Sequence, residues 1–258
     1  MGLTGWLLEN VGVSLRPNLT GTRFLGGKGA GCCISLDFDV TQDSRSASNH
    51  KGSHLLLSHA DKYEIPLTWA ICGSTAERDP EPLRAILDSG DSHEIASHTY
   101  SHLRVDQARP EELEADHQRW SEAVGVPARS FVFPYNKMGN FTTLKSLGFV
   151  AYRGEVRVIG APFEENGMRN IPPVMYLNGR TEGTVGTARG FVDLCIRSGG
   201  VFHLWSHPWN LAREGDPERF CDRVLAPILA YIKEKENEGV LGLYTMNQLT
   251  EPSLGQAS

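Results

Sequence analysis

Two carboxylates, Asp37 and Asp39, close the apolar run at residues 32–36 and stand two positions apart. In an extended strand, positions i and i+2 point to one face, so both carboxylates aim into one cavity while Leu36 and Phe38 pack on the other side. Carboxylates held that close repel unless a cation stands between them or one keeps a proton. His98 and His102 lie four residues apart. On one helical turn that spacing puts both imidazoles on a shared face, where they can reach one metal. Two histidines plus a carboxylate form a ligand set that leaves a coordination position open for water. His207 follows the apolar run 201–205. An imidazole, with an ordinary pKa near ~6.5, suits a general acid for an amine leaving group.

The elements that must position these groups alternate between strand and helix. Strand-forming runs at 32–40, 67–72, 93–98, 130–133, 149–152, 201–205 and 240–246 are separated by helical patterns at 55–63, 80–87, 110–124, 191–197 and 216–239. Pro80, Pro110 and Pro217 open three of those helices, and Gly90, Gly125 and Gly239 close them. Residues 1–31 read as an arm with one short helix at 5–10, residues 41–53 as a polar loop, and residues 154–188 as loop-rich. The alternation predicts parallel βα units, with functional groups at the carboxyl ends of the strands. Asp37, Asp39, His98 and His207 all fall at such ends.

The 258 residues, 40% hydrophobic, are enough for one large α/β domain. A net charge of -6 gives no basic footprint, so nucleic acid is excluded as an expected partner, and docking on anionic membranes is disfavoured. No apolar run approaches the ~20 residues of a membrane-spanning helix. Five cysteines without a C-x-x-C spacing fit reduced core thiols, and the first residues lack a secretory pattern, so the expected location is cytoplasmic. The glycine-rich run 26–31 has Gly29 after Lys28 where a phosphate loop needs Ser or Thr, and is expected to be a flexible lead-in.

Taken in order, Asp37-Phe38-Asp39, His98-Thr99-Tyr100-Ser101-His102, Pro134-Tyr135 and His207-Pro208 resemble the motifs of the polysaccharide deacetylase family, also known as carbohydrate esterase family 4 or the NodB homology domain. The resemblance covers about residues 30–250. It implies a distorted (β/α)7-8 barrel in residues 31–252, with an arm at 1–30 and a tail at 253–258. It also implies one divalent metal ion, most often zinc, on Asp39, His98 and His102. Asp37 would then be the general base, His207 the general acid, and Tyr135 a backbone donor to the oxyanion. Arg153, Trp205 and His203 are assigned to substrate binding, although the strand parity of His203 equally fits a hydrogen-bonded core histidine.

Two departures stand out. Val132 occupies the place of the arginine in the family's Arg-x-Pro-Tyr, so either Arg153 substitutes for it or the base is tuned differently. Residues 154–195 offer no counterpart of the family's Asp and Trp motif. The expected reaction is removal of an N-acyl group, foremost N-acetyl, from an aminosugar in a saccharide, glycolipid or sugar-nucleotide. A deformylase or a cyclic-ureide amidase is the near alternative. A non-catalytic carbohydrate-binding protein is the alternative of another class. The expected partner is a carbohydrate, and a homo-oligomer is compatible with the sequence.

Overall fold

The computed structural model describes residues 14–15, 24–39, 46–90, 92–154, 158–178, 183–211 and 216–251. Its strands are β1 (Ser14–Leu15), β2 (Gly31–Phe38), β3 (Thr68–Ile71), β4 (Glu94–Ser97), β5 (Ser130–Val132), β6 (Ala151–Arg153), β7 (Val158–Ile159), β8 (Phe163–Glu165), β9 (Met168–Asn170), β10 (Met175–Leu177), β11 (Val201–Ser206) and β12 (Gly242–Leu243). The helices are α1 (Ser46–Tyr63), α2 (Gly73–Arg78), α3 (Pro80–Asp88), α4 (Pro110–Val124), α5 (Phe141–Ser146), α6 (Thr184–Ser198), α7 (Pro208–Leu211), α8 (Pro217–Phe220) and α9 (Ala226–Asn237). One sheet runs β10-β11-β2-β3-β4-β5-β6-β9-β8, with β12 pairing beside β2, while β1 pairs with β7 separately. Pairing along the sheet is parallel except between β8 and β9. The result is a curled, incomplete α/β barrel.

Strand β2 organises the sheet because all eight of its residues are buried. Cys32, Ile34, Leu36 and Phe38 face the helices, where Leu56, Leu57 and Ala60 of α1 and Ile228 and Ile232 of α9 join the same apolar cluster. The opposite face lines the inside of the curl with small residues, including Cys33, Ala70, Ala96, Val132 and Ala151. Small side chains there leave room for the polar groups further along each strand. The chain's last part covers the strand starts: Met246 N–H donates to Thr68 Oγ1 (2.9 Å) and Asn247 N–H to Glu94 Oε2 (2.9 Å). Thr68 Oγ1 donates to the same carboxylate at 2.9 Å, and burial pushes the Glu94 carboxyl above its usual range.

Local sequence explains the best-formed helices. In α4, Pro110 sits in the first turn and Glu112 accepts the Arg109 backbone N–H at 2.9 Å, while Gly125 closes the helix with φ 75°. Other segments depart from expectation. Residues 46–53 are helical rather than a loop, because their buried face is built from Asn49, Gly52 and Ser53 and shows no apolar period. The region 154–188 holds the four strands β7–β10 and the start of α6, in pieces of two or three residues that are too short to display alternation. The last strand shrinks to Gly242–Leu243, and α2 is an added helix. The helix expected at 5–10 lies outside the described residues. Among the described residues no helix is long and apolar enough to cross a membrane.

Candidate active site

At the carboxyl ends of β2, β4, β5 and β11 lies a pocket of about 370 Å³, lined by Asp37, Asp39, His98, His102, Phe133, Tyr135, Asn136, Trp205 and His207. The two aspartates share a face of β2 as their spacing predicts, yet their surroundings differ. Asp37 is clamped by Arg153, with Nη1 donating to Oδ1 at 2.5 Å and Nη2 to Oδ2 at 2.6 Å, and both side chains are almost fully buried. Burial alone would raise the Asp37 carboxyl, but the Arg153 guanidinium and, to a lesser degree, His98 hold it well below the usual carboxylate range. Asp39 instead groups with His98 and His102, and one potential ligand atom from each lies within 4.8 Å of the others.

The two histidines are brought together by a loop, not by the helical turn their spacing suggested. Thr99 and His102 adopt positive φ (60° and 58°) within residues 98–102. Asp116 of α4 fixes the loop: its carboxylate accepts the N–H of Tyr100 (2.6 Å), the N–H of Ser101 (3.0 Å) and the Ser101 hydroxyl (2.5 Å). His98 Nδ1 donates to the Val132 carbonyl at 2.8 Å, which turns its Nε2 lone pair toward the pocket, as ligand histidines require. Burial lowers the pKa of His98, and burial together with His98 lowers that of His102 to about 4, so both imidazoles are neutral and ready to donate lone pairs. The donor set therefore fits a divalent ion.

His207 faces this group from β11, with Nε2 3.4 Å from Asp39 Oδ2 and 4.0 Å from Asp37 Oδ2. Asn210 Nδ2 donates to the Tyr176 hydroxyl at 2.9 Å, and that hydroxyl lies 3.2 Å from His207 Nδ1. The tyrosine thus holds the imidazole at Nδ1 and leaves Nε2 facing the two carboxylates. Trp209 stacks on the imidazole (4.5 Å between centroids) and donates to Asp39 Oδ1 at 3.3 Å. Tyr135 has φ 59° in a turn where Asn136 and Lys137 N–H bond back to Phe133 and Pro134. Its own N–H has no hydrogen-bond partner among the described residues.

Of the three residues assigned to substrate binding, only Trp205 lines the pocket. Arg153 is spent on Asp37, on Ser35 Oγ (3.2 Å) and against the Trp205 ring (4.4 Å). His203 is fully buried, with Nε2 2.8 Å from Ser35 Oγ and Nδ1 3.1 Å from the Ile171 carbonyl, so it is a core histidine behind Asp37. Sequence reasoning missed Asp116, Tyr176, Asn210 and Trp209. Only Trp209, next but one to His207, carried a local signal.

Burial, followed by the Arg153 charge, depresses His203 to about 3. An unfolded histidine takes its proton near ~6.5, so across the interval between these values the unfolded chain binds more protons. Stability must fall as pH drops through that window, by up to about 1.4 kcal/mol per pH unit from this residue. His203→Asn is expected to flatten the decline in urea midpoint between pH 6.5 and 4; an unchanged slope would assign the acid lability elsewhere.

The curled sheet has the incomplete-barrel fold of solved deacetylase structures. Residues 27–152 match the model of the polysaccharide deacetylase family. Among solved structures, a Mycobacterium smegmatis protein assigned as a polysaccharide deacetylase is similar over 92% of this chain and 93% of its own, with a TM-score of 0.72 and 21% identity. The Puue allantoinase aligns over 87% and 90% (TM-score 0.66, 14% identity). A CE4 family pseudoenzyme from Bacillus anthracis aligns over 92% and 68% (TM-score 0.52, 13% identity). At these identities the likenesses establish the fold.

Proposed function

We propose that this protein is a metal-dependent hydrolase that removes an N-acyl group, foremost N-acetyl, from an aminosugar-containing saccharide, glycolipid or sugar-nucleotide. The observation that carries this reading is the division of labour between the aspartates. Asp39 joins His98 and His102, whereas Arg153 holds Asp37 apart from them. A divalent ion on Asp39, His98 and His102, with zinc foremost for such ligands, would polarise the acyl carbonyl and bring the pKa of water at its open position toward ~7.

Asp37 accepts the proton of the attacking water. A carboxylate held as low as this one is a poor base for ordinary water, so its role depends on an acidified donor. Tyr135 N–H donates to the carbonyl oxygen as negative charge develops. His207, as the imidazolium with Nδ1–H donating to the Tyr176 hydroxyl, passes its Nε2 proton to the departing nitrogen, which is otherwise too basic to leave, and is left as neutral imidazole. The exposed Tyr135 ring offers an apolar face to a sugar.

Asp37→Asn is expected to keep metal content and lose nearly all acetate release, whereas His98→Ala is expected to lose the ion from this cluster. Metal analysis together with an acetate assay on N-acetylated monosaccharides, oligosaccharides and sugar-nucleotides checks both. Activity that survives exhaustive chelation would sink the mechanism. A second reading, hydrolysis of a cyclic ureide, draws on the similarity to the allantoinase and on the modest pocket; formation of a ring-opened product would select it.

A further inference from the structure

We propose a second metal site on the outer helical layer, formed by His50 and His54 of α1 and Glu81 of α3. The histidines are four residues apart and share a helix face, with Glu81 in the first turn of the facing helix. Glu81 Oε2 lies 2.6 Å from His50 Nε2 and 3.0 Å from His54 Nε2, and the two Nε2 atoms are 3.1 Å apart. All three potential ligand atoms converge on one point.

Protons satisfy this triangle only by leaving one edge unfavourable. If both nitrogens carry hydrogen to reach the carboxylate, the two N–H groups oppose each other across the third edge. If only one does, the other nitrogen presents a lone pair to the carboxylate oxygen. One cation satisfies all three lone pairs. At metal–ligand distances of about 2.0–2.1 Å, an ion would sit roughly 1.2 Å above the plane of the three donors, leaving the outer side open to water. Two imidazoles and a carboxylate select a divalent transition metal of the zinc type over calcium or magnesium, which take oxygen ligands.

All three side chains are half-exposed, so an ion can enter. A cleft of about 590 Å³, lined by His50, Lys51, His54, Leu55, Ser58 and Glu218, adjoins the site. Binding here would tie α1 to α3. Asn49, the residue before His50, donates to the Asp39 carbonyl at 3.3 Å, so the tie would brace the helix that steadies a member of the pocket cluster.

The test is calorimetric zinc titration, with metal analysis, of the chelator-stripped full chain. The unsubstituted protein is expected to bind two equivalents when both clusters are competent, and His54→Ala one fewer. In the His98→Ala, His102→Ala double variant, the remaining equivalent should persist, and adding His54→Ala should remove it. Changing an outer-shell partner of a metal costs roughly 10–100-fold in affinity, so Glu81→Gln, which alters a ligand, should cost at least tenfold. Equal stoichiometry with and without His54 would overturn the proposal. That comparison can be made in the otherwise unsubstituted chain if the double variant does not fold. Failure of the pocket cluster alone would leave the His54-dependent equivalent in place.

Discussion

Arg153→Ala is expected to lower turnover by roughly 100-fold or more and to destabilise the protein by about 3–5 kcal/mol. The substitution strands Asp37 in a site only 3% exposed, where an unpaired carboxylate regains a proton instead of staying charged. A base that holds a proton at neutral pH takes none from water, so the kinetic loss and the stability loss share one cause. The same change removes the bond to Ser35 and the cation over Trp205.

The register of the sheet adds a sharper outcome. Val132 and Arg153 are direct partners across β5 and β6, so the arginine absent from position 132 is supplied one strand away at the same level. Val132→Arg combined with Arg153→Val should therefore recover much of what Arg153→Val loses, whereas Val132→Arg alone sets two guanidiniums side by side and should destabilise. A double-mutant cycle on urea midpoint and kcat reads this coupling. Strict additivity would show that the two positions do not share the task of holding Asp37.

Gly52→Ala is expected to destabilise by about 1–2 kcal/mol despite placing a better helix former inside α1. The propensity gain is about 1 kcal/mol. Against it, a Cβ at this buried position would stand 2.0 Å from the Pro208 carbonyl oxygen and 2.5 Å from its carbon, both backbone atoms. Backbone cannot swing aside as a side-chain tip does, so α1 and α7 must separate, and overpacking of this kind costs about 1–3 kcal/mol or more. Because Pro208 follows His207, the displacement should also move His207, and under its proposed role as acid kcat should fall more than KM rises. Unaltered stability would mean that the helix pair slides at no cost.

Much of this arrangement was legible in the chain because its signals are local. Proline and glycine bracket α3 and α4, and the spacing of Asp37 and Asp39 fixes their common face on β2. The resemblance assigned different roles to the two, and the environment of each is consistent with that assignment. Other features depend on distant segments. Asp116 reaches the 98–102 loop from mid-helix, Tyr176 and Asn210 meet His207 from either side of it in sequence, and the face of α1 that packs on α7 is polar and glycine-containing. No periodicity announces such contacts. His203 shows the complementary limit: parity put it on the correct face of β11 but could not say that Ser35 and the Ile171 carbonyl already occupy both its nitrogens.

The row of strands begins at β10, which is bonded only to β11 within the sheet, and Tyr176 stands on it. Asp37, by contrast, stands on β2, which is laced to neighbours on both flanks. Loosening of a sheet starts at its rim, so, under the proposed mechanism, heat or mild denaturant should disturb His207 through Tyr176 before it touches Asp37. Under the proposed mechanism, the warmed protein would lose amide cleavage before cleavage of esters whose alcohols depart without help. The open seam thus makes chemical selectivity, rather than total activity, the first property to soften.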